Sequence, residues 1–331
     1  MKKASPLLQF DNVRKVFISR RGVWREPVTT VAVDGISFSL NPGETIALVG
    51  ESGSGKTTVG RMASGLIKPT DGVINYQGLS REDLTKDEFL DYRLSVQMIH
   101  QDPYASLNPA LTIGKVLSAP LLQHELVSSR KEARVKAEEL LARVGLGADC
   151  YDKYPHQLSG GQRQRISVAR AISVNPRVMV ADEPVSMMDV SLRVGLLDLL
   201  LDLQDSLGMS YIFITHDLGV VRYFARNQRT FVMYRGHVME QGSTETVIVE
   251  PCHPYTQALR MAVPVPDPKL SRSRSTLPIK NDLDENAAIE DGCPFAPRCI
   301  YAQAICYNEK PELSPLSDNH WVACFFREKV A

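Results

Sequence analysis

Residues 44–58 read ETIALVGESGSGKTT, and this stretch decides the fold. It opens with a short apolar run that ends in glycine, which is typical of a buried strand. Gly50 to Thr57 then fit the pattern G-x-x-x-x-G-K-[ST] between that strand and a predicted helix. Such a loop wraps a polyphosphate with backbone N–H groups and a helix N-terminus. We therefore predict a phosphate-binding loop (P-loop), in which Lys56 reaches the phosphates and Thr57 holds Mg²⁺.

Strand and helix patterns alternate through the first ~250 residues, which indicates an α/β domain with a largely parallel sheet. In the helix predicted at Ser129–Val144, Ser129 and Glu132 predict a capping box, and Gly145 suits the position just after the helix. The other predicted strands are Ser95–His100, Arg177–Asp182 and Ser210–Thr215, and the other helices are Gly55–Leu66 and Met188–Ser206.

The composition limits the class of protein. The chain has 331 residues, enough for about two domains, and 38 basic residues balance 38 acidic ones. Without a net positive charge, nucleic acid is not an expected partner. No run of roughly 18 apolar residues could span a bilayer, and the start, MKKASP, lacks the apolar core of a secretory signal. We expect a cytoplasmic chain that does not itself cross a membrane.

Further motifs stand in a fixed order along the chain. Gln101 follows one predicted strand, Asp182 and Glu183 end or follow another, and His216 follows a third. Leu158 to Gln162 read LSGGQ at a predicted helix start, and Ser186 to Asp189 read SMMD.

From about Leu7 to Glu250 this set resembles the ABC-type ATPases. The resemblance implies a P-loop NTPase fold with a RecA-like core, an antiparallel β subdomain and a helical signature subdomain at about 103–175. It implies ATP and Mg²⁺ as cofactors, with Mg²⁺ held through Thr57, Gln101 and Asp182. The SMMD segment resembles the family's D-loop, which contributes Asp189, although the family more often has Ala-Leu at its centre.

Physical roles can be argued for several of these residues. Hydrolysis needs charge neutralisation and an oriented water, so Glu183 can accept the water's proton while His216 holds Glu183 in place. The resemblance adds Phe17 as a ring that stacks on adenine, with Phe10 and Trp24 as alternatives. It also places the signature across a dimer. The implied ATP-binding residues are Phe17, Gly50, Glu51, Ser52, Gly53, Ser54, Gly55, Lys56, Thr57, Thr58, Gln101 and Asp182, and the implied signature residues are Leu158, Ser159, Gly160, Gly161 and Gln162.

Further features of the sequence limit the processes that such an ATPase could drive. The P-loop and signature are too close for an intervening coiled coil, one cassette is present, and no membrane domain is fused to it. Residues 251–259, PCHPYTQAL, and 101–109, QDPYASLNP, resemble segments of oligopeptide and dipeptide importers. That resemblance implies peripheral attachment to the cytoplasmic face of the inner membrane. It implies as partners two integral membrane permease subunits, a second ATPase forming a heterodimer, and an extracytoplasmic solute-binding protein.

Other functions stay open at this stage. One is a soluble ATPase that remodels a macromolecule, and another is a metal-binding regulatory module that uses ATP as a switch. For an importer, peptides, nickel chelates, opines and oligosaccharides all remain possible solutes.

The last 80 or so residues differ from the cassette in composition. Residues 264–286 are polar and proline-rich and predict a linker. The tail, residues 292–331, contains Cys293, Cys299, Cys306 and Cys324. The paired C-x2-C of zinc ribbons and the ferredoxin spacings are both missing. In the importers that this tail resembles, four such cysteines can bind a [4Fe–4S] cluster; zinc and unmetallated thiols remain alternatives. We expect a small Cys-rich C-terminal domain.

Overall fold

Two β-sheets with helices around them make up the described part of the chain, residues 5–19, 27–263, 279–280 and 291–327, in a computed structural model. The strands are β1 (Leu8–Ser19), β2 (Val28–Leu40), β3 (Thr45–Val49), β4 (Asp71–Tyr76), β5 (Leu79–Ser80), β6 (Val96–Ile99), β7 (Val178–Asp182), β8 (Ser210–Thr215), β9 (Arg229–Tyr234), β10 (His237–Ser243), β11 (Ser314–Ser317) and β12 (His320–Val322).

The helices are α1 (Lys56–Ala63), α2 (Lys86–Ser95), α3 (Pro103–Ser106), α4 (Ile113–Gln123), α5 (Arg130–Arg143), α6 (Gly160–Ile172), α7 (Val190–Leu207), α8 (Leu218–Phe224), α9 (Thr244–Val249), α10 (Pro254–Ala262) and α11 (Ala304–Asn308). Short 3₁₀ turns lie at Ala148–Cys150 and Pro155–Gln157. No helix in these described ranges is both long and apolar enough to cross a membrane.

The larger sheet has the order β11-β12-β10-β9-β3-β8-β7-β6. From β9 through β6 its strands are parallel, whereas β10, β12 and β11 add antiparallel pairs. The smaller sheet, β2-β1-β4-β5, is antiparallel throughout. The α/β core and the antiparallel β sheet are therefore as expected from the sequence. Because the carboxyl ends of neighbouring parallel strands meet at one side of a sheet, residues that follow β3, β6, β7 and β8 converge there.

Buried side chains cover both faces of the parallel strands. In β7, Met179 and Ala181 pack with the helices α4 to α7, while Val178 and Val180 pack with α1 and the smaller sheet. This alternation follows from the two-residue period of a strand, and it explains why β7 is apolar at each position before Asp182.

The predicted helix ends are largely as observed, with one difference. Ser129 Oγ accepts a hydrogen bond from the Glu132 backbone N at 3.2 Å, and Gly145 has a φ of +72° just past the end of α5. The reciprocal half of the predicted capping box is wrong. The Glu132 carboxylate accepts from the backbone N of Ser128, at 2.8 Å, instead of from Ser129.

The C-terminal tail is built onto the large sheet. Val322 of β12 pairs with Glu240 of β10, and Cys293 and Phe295 pack in one apolar cluster with Tyr234 of β9. The described part of the Cys-rich tail therefore shares a sheet and an apolar cluster with the cassette. A tail this short buries little apolar surface alone, so it uses the sheet and α10 as its support. Most of the predicted linker, 264–286, lies outside the described residues.

Candidate nucleotide-binding site

Two of the P-loop glycines, Gly50 and Gly55, lie where side chains would not fit. A Cβ on Gly50 would come within 2.1 Å of the Met233 carbonyl oxygen, and one on Gly55 within 2.2 Å of the Ala32 carbonyl oxygen. Gly55 also has a φ of +102°, a backbone conformation that residues with a Cβ rarely adopt. The loop is therefore clamped between the end of β9 and β2, with α1 starting directly behind it.

Lys56 folds across the concave side of the P-loop. Its Nζ donates hydrogen bonds to the carbonyl oxygens of Gly50 and Glu51 at 2.7 and 2.8 Å, and to Ser54 Oγ at 3.2 Å. Burial lowers the pKa of Lys56, an effect opposed by nearby carboxylates. The ammonium is thus held at the mouth of the loop by acceptors that a phosphate group can replace.

Three strand ends bring the predicted polar residues together. Asp182 Oδ1 accepts a hydrogen bond from Thr57 Oγ1 at 3.0 Å, and burial raises the Asp182 pKa. Glu183, with a φ of +46°, accepts from Gln101 Nε2 at 3.0 Å through Oε2. Its Oε1 lies 3.3 Å from His216 Nδ1. A neutral amide and an imidazole therefore hold one carboxylate beside the P-loop.

Thr57, Gln101, Glu183 and His216 line a cleft of about 820 Å³, and Asp182 is not among its described lining residues. The sequence did not point to two of its walls, one from β2 and one from α10, because neither contains a recognisable phosphate motif. The described lining residues are Thr30, Val31, Ala32, Glu51, Ser52, Gly53, Gly55, Lys56, Thr57, Thr58, Gln101, Glu183, His216, Asp217, Leu259, Ala262 and Val263.

Three aromatic residues are candidates for the predicted ring that stacks on adenine. Phe17 pairs in register with Thr30 of the cleft wall and is 43% exposed, but it is not among the described residues that line the cleft. Phe10 is buried and stacked on Phe38 at 4.4 Å between ring centroids, so its ring is not available to a ligand. The third candidate, Trp24, lies outside the described residues.

The signature and D-loop residues lie elsewhere on the surface. Ser159 Oγ caps α6 by accepting a hydrogen bond from the Gln162 backbone N. The Gln162 side-chain oxygen in turn accepts a hydrogen bond from the Ser159 backbone N. Neither these residues nor Asp189, which precedes α7, is among the described lining of the cleft. Leu158 is buried, whereas a Cβ on Gly160 would meet no described atom within 4 Å. Gly161 follows at the same exposed helix start.

Two residues that the sequence did not mark as nucleotide-site residues contact the P-loop. Arg298, in the tail, donates to both carboxylate oxygens of Glu51, at 2.7 and 3.0 Å. Tyr255 of α10 accepts a hydrogen bond from the Glu51 backbone N at 2.8 Å. These residues lie 247 and 204 positions from Glu51, and no local sequence pattern indicates contacts of that separation.

The four tail cysteines line a second, smaller cavity of about 20 Å³. Its other walls are mainly apolar and include Phe295 and Phe325. Burial raises the pKa of Cys293 to about 12 and that of Cys299 to about 11, so without a metal these side chains are thiols. The cysteines that line the cavity are Cys293, Cys299, Cys306 and Cys324.

The spacing of these thiols distinguishes between metal groups. Four sulfurs around one zinc ion lie about 3.8 Å apart, given a Zn–S distance near 2.3 Å. Within the described ranges, one group of three His, Cys, Asp or Glu residues has all ligand atoms within 4.8 Å of each other: Glu240, Cys252 and His320. The tail cysteines form no such group, so they are not drawn together at single-ion distances. Glu240 already accepts from His320 and from two backbone N–H groups, which accounts for it structurally.

Comparison with protein families gives two matches. The family described as "ABC transporter" matches residues 33–186, and the family described as "Oligopeptide/dipeptide transporter, C-terminal region" matches residues 239–306.

Similar proteins cover nearly the whole chain. It is 42% identical over 325 residues to the dipeptide transport ATP-binding protein DppF of Haemophilus influenzae, covering 98% of each chain. It is 43% identical over 320 residues to the oligopeptide transport ATP-binding protein AppF of Bacillus subtilis, covering 96% of each. Among solved structures, a dimeric post-hydrolysis state of the ATP-binding cassette MJ0796 with ADP and Pi matches with a TM-score of 0.63 and 29% identity. It covers 72% of this chain and 98% of that one.

Proposed function

The chain belongs to the ATP-binding subunits of oligopeptide and dipeptide ABC transporters, ATPases that drive peptide uptake, and from this premise we propose how its residues work. ATP binds in the cleft beside the P-loop, and water attacks its γ-phosphate. The observation that carries the proposal is the hydrogen bonding of Glu183 by Gln101 and the approach of His216, opposite Lys56.

Each polar group then has a distinct task. Lys56 exchanges its carbonyl acceptors for the β and γ phosphates, and the backbone N–H groups of the P-loop surround the chain of phosphates. Glu183 accepts the proton of the attacking water, because it lines the cleft and is held there by Gln101 and His216. His216 and Gln101 keep that carboxylate oriented. Developing charge on the phosphate is balanced by groups that are already in place.

Mg²⁺ is the expected cofactor of such a site. The Thr57 hydroxyl and the Asp182 carboxylate, 3.0 Å apart, are oxygen ligands of the type that Mg²⁺ prefers. Thr57, Asp182 and Gln101 would hold the ion, which would neutralise phosphate charge.

We assign the second phosphate face to another subunit. Ser159, Gly160 and Gln162 form a capped, exposed helix start outside the chain's own cleft. A helix start of this kind suits an anion. The dimeric state described for MJ0796 supports a dimer here as well. Asp189 lies at the start of α7 and would join this interface.

The proposed setting is the cytoplasmic face of the inner membrane. The chain would attach peripherally to permease subunits, with a second, related ATPase and an extracytoplasmic solute-binding protein in the same system. We assign residues 1–250 to the cassette, with a helical subdomain at about 103–175, and 251–331 to the importer-type C-terminal region. The relatives' printed names support peptides as the solute.

We also propose that the tail cysteines hold a [4Fe–4S] cluster. All four line one mainly apolar pocket, which brings four thiols of the kind that hold such a cluster to one place. The cavity of about 20 Å³ has room for roughly one water, so the cysteine side chains would have to move apart for a cluster to bind. The cluster would supply a structural link within the tail. Anaerobic purification with iron and sulfide analysis tests this; zinc or no metal would contradict it.

The catalytic proposal is tested by Glu183→Gln, with Glu245→Gln as a control at an exposed carboxylate. In the complete transport complex, Glu183→Gln should lower ATP turnover at least about 100-fold while MgATP binding is kept, because only the proton acceptor is lost. The control should hydrolyse ATP normally. Normal turnover in Glu183→Gln would remove Glu183 from this role.

A further inference from the structure

We propose that Arg298 is a positioning residue for the P-loop, and that it sets nucleotide affinity by neutralising and holding Glu51. This inference rests on the proposed function, because it concerns how the same cleft binds its nucleotide. Arg298 lies in the tail, yet its guanidinium grips the Glu51 carboxylate through two hydrogen bonds of 2.7 and 3.0 Å. Such two-point pairs are strong and directional.

Glu51 is held at its backbone as well. Its N–H donates to Tyr255 Oη at 2.8 Å, and its carbonyl oxygen accepts from Lys56 Nζ at 2.8 Å. One residue therefore joins the tail and α10 to the lysine that binds phosphate. A shift of Glu51 moves the rim of the P-loop and the acceptor of Lys56 together.

Arg298 is itself fixed in place. Its side chain is 17% exposed, and its guanidinium carbon lies 5.6 and 5.7 Å from the ring centroids of Tyr234 and Phe295. Its backbone N donates to the Phe295 carbonyl oxygen at 3.0 Å. Because little side-chain freedom remains to be lost, the arginine acts as a rigid clamp on the loop.

Charge gives the clamp a second effect. Glu51 lines the nucleotide cleft, where a polyphosphate brings several negative charges. Paired with Arg298, its carboxylate is neutralised; unpaired, it would repel the ligand. Loss of Arg298 should therefore weaken binding more than loss of both partners, which a purely structural role would not produce.

Titration calorimetry of the full-length chain with MgADP tests this. Arg298→Ala should raise the Kd by about tenfold, and Arg298→Lys by less, since one charge without the planar fork keeps only part of the contact. Adding Glu51→Gln to Arg298→Ala should recover part of the affinity. Lys310→Ala is the matched control: it breaks another tail-to-cassette ion pair, to Asp34 at 2.6 Å, and should keep wild-type affinity.

The outcomes separate this inference from the proposed function. If Arg298→Ala binds MgADP like the wild type, or if the double variant is no better than the single one, the inference is wrong. If the wild-type chain itself fails to bind MgADP, the proposed function fails too. Should Arg298→Ala not fold, Arg298→Lys with and without Glu51→Gln provides the same comparison. In the complete transporter, a raised KM with an unchanged kcat is the matching kinetic result.

Discussion

The P-loop and the signature are both glycine-rich turns at the start of a helix, but the fold surrounds them differently. Around the P-loop, a Cβ on Gly50 or Gly55 would run into a backbone oxygen about 2 Å away, and Lys56 is tied into the loop. Around Gly160 there is open space. The P-loop is thus packed into the cleft of its own chain, whereas the signature glycine Gly160 lies in open space. Under the proposed function, the contrast teaches that one phosphate-binding face is completed within the chain and the other is offered to a second subunit.

The largest effect that would sharpen this contrast is expected from Lys56→Ala. The charge that contacts the phosphates is lost, so ATP turnover in the complete complex should fall at least about 100-fold. MgADP binding to the isolated chain should weaken as well. Lys115→Ala, on the exposed face of α4, is the control and should keep both properties. Near-normal ATP turnover by Lys56→Ala would contradict an essential role for the P-loop in hydrolysis.

A second test compares the two turns directly by stability. Gly55→Ala forces a Cβ against the Ala32 carbonyl oxygen at a φ of +102°, so it should lower the free energy of unfolding by about 2–4 kcal/mol. Gly160→Ala meets open space and should change it by less than about 0.5 kcal/mol. Urea unfolding measures both values. Equal losses at the two positions would mean that the signature is as closely packed as the P-loop.

A smaller effect concerns acid stability behind the P-loop. His237 is mostly buried beside Asp34, Lys310 and Arg14, and burial lowers its pKa to about 4. The unfolded chain gains the proton near pH 6.5, before the folded chain does, so stability should fall as the pH drops from 6.5 towards 4. His237→Gln should remove about 2–3 kcal/mol of that fall.

Urea unfolding of wild type and His237→Gln across this pH range is the measurement. Asp34, whose pKa is lowered by its cationic neighbours, adds a further loss only below its ordinary value of 3.8. Near neutral pH, the free energy of unfolding should therefore change with pH by the same slope in the variant and in the wild type. Parallel curves over the whole range would contradict the assignment to His237.

The convergence of four predicted site residues beside the P-loop follows from the sequence for a physical reason. Gln101, Asp182, Glu183 and His216 each end or follow a buried strand, and parallel strands bring such positions to one side of a sheet. The spacing of glycines and Lys56 likewise reflects local backbone geometry. Local pattern and topology together were enough.

Contacts between distant segments were not predictable in this way. Arg298 reaches Glu51 because β12 joins the large sheet and the segment from Cys293 to Cys306 packs against that sheet, and neither composition nor periodicity indicates this packing. The same packing makes the tail an extension of the sheet. Glu132 shows that local contacts can also be mispredicted. Of the neighbouring backbone N–H groups of Ser128 and Ser129, its carboxylate accepts a hydrogen bond from that of Ser128.

The pairing of β12 with β10 has a consequence for solubility. Without the tail, β10 would be an edge strand with a free row of N–H and C=O groups, a template for joining other chains. β11 instead closes the sheet with a four-residue strand that contains Pro315, which cannot donate to a further strand. A subunit cut before Ser314 would therefore expose the edge of β10 and become prone to aggregation.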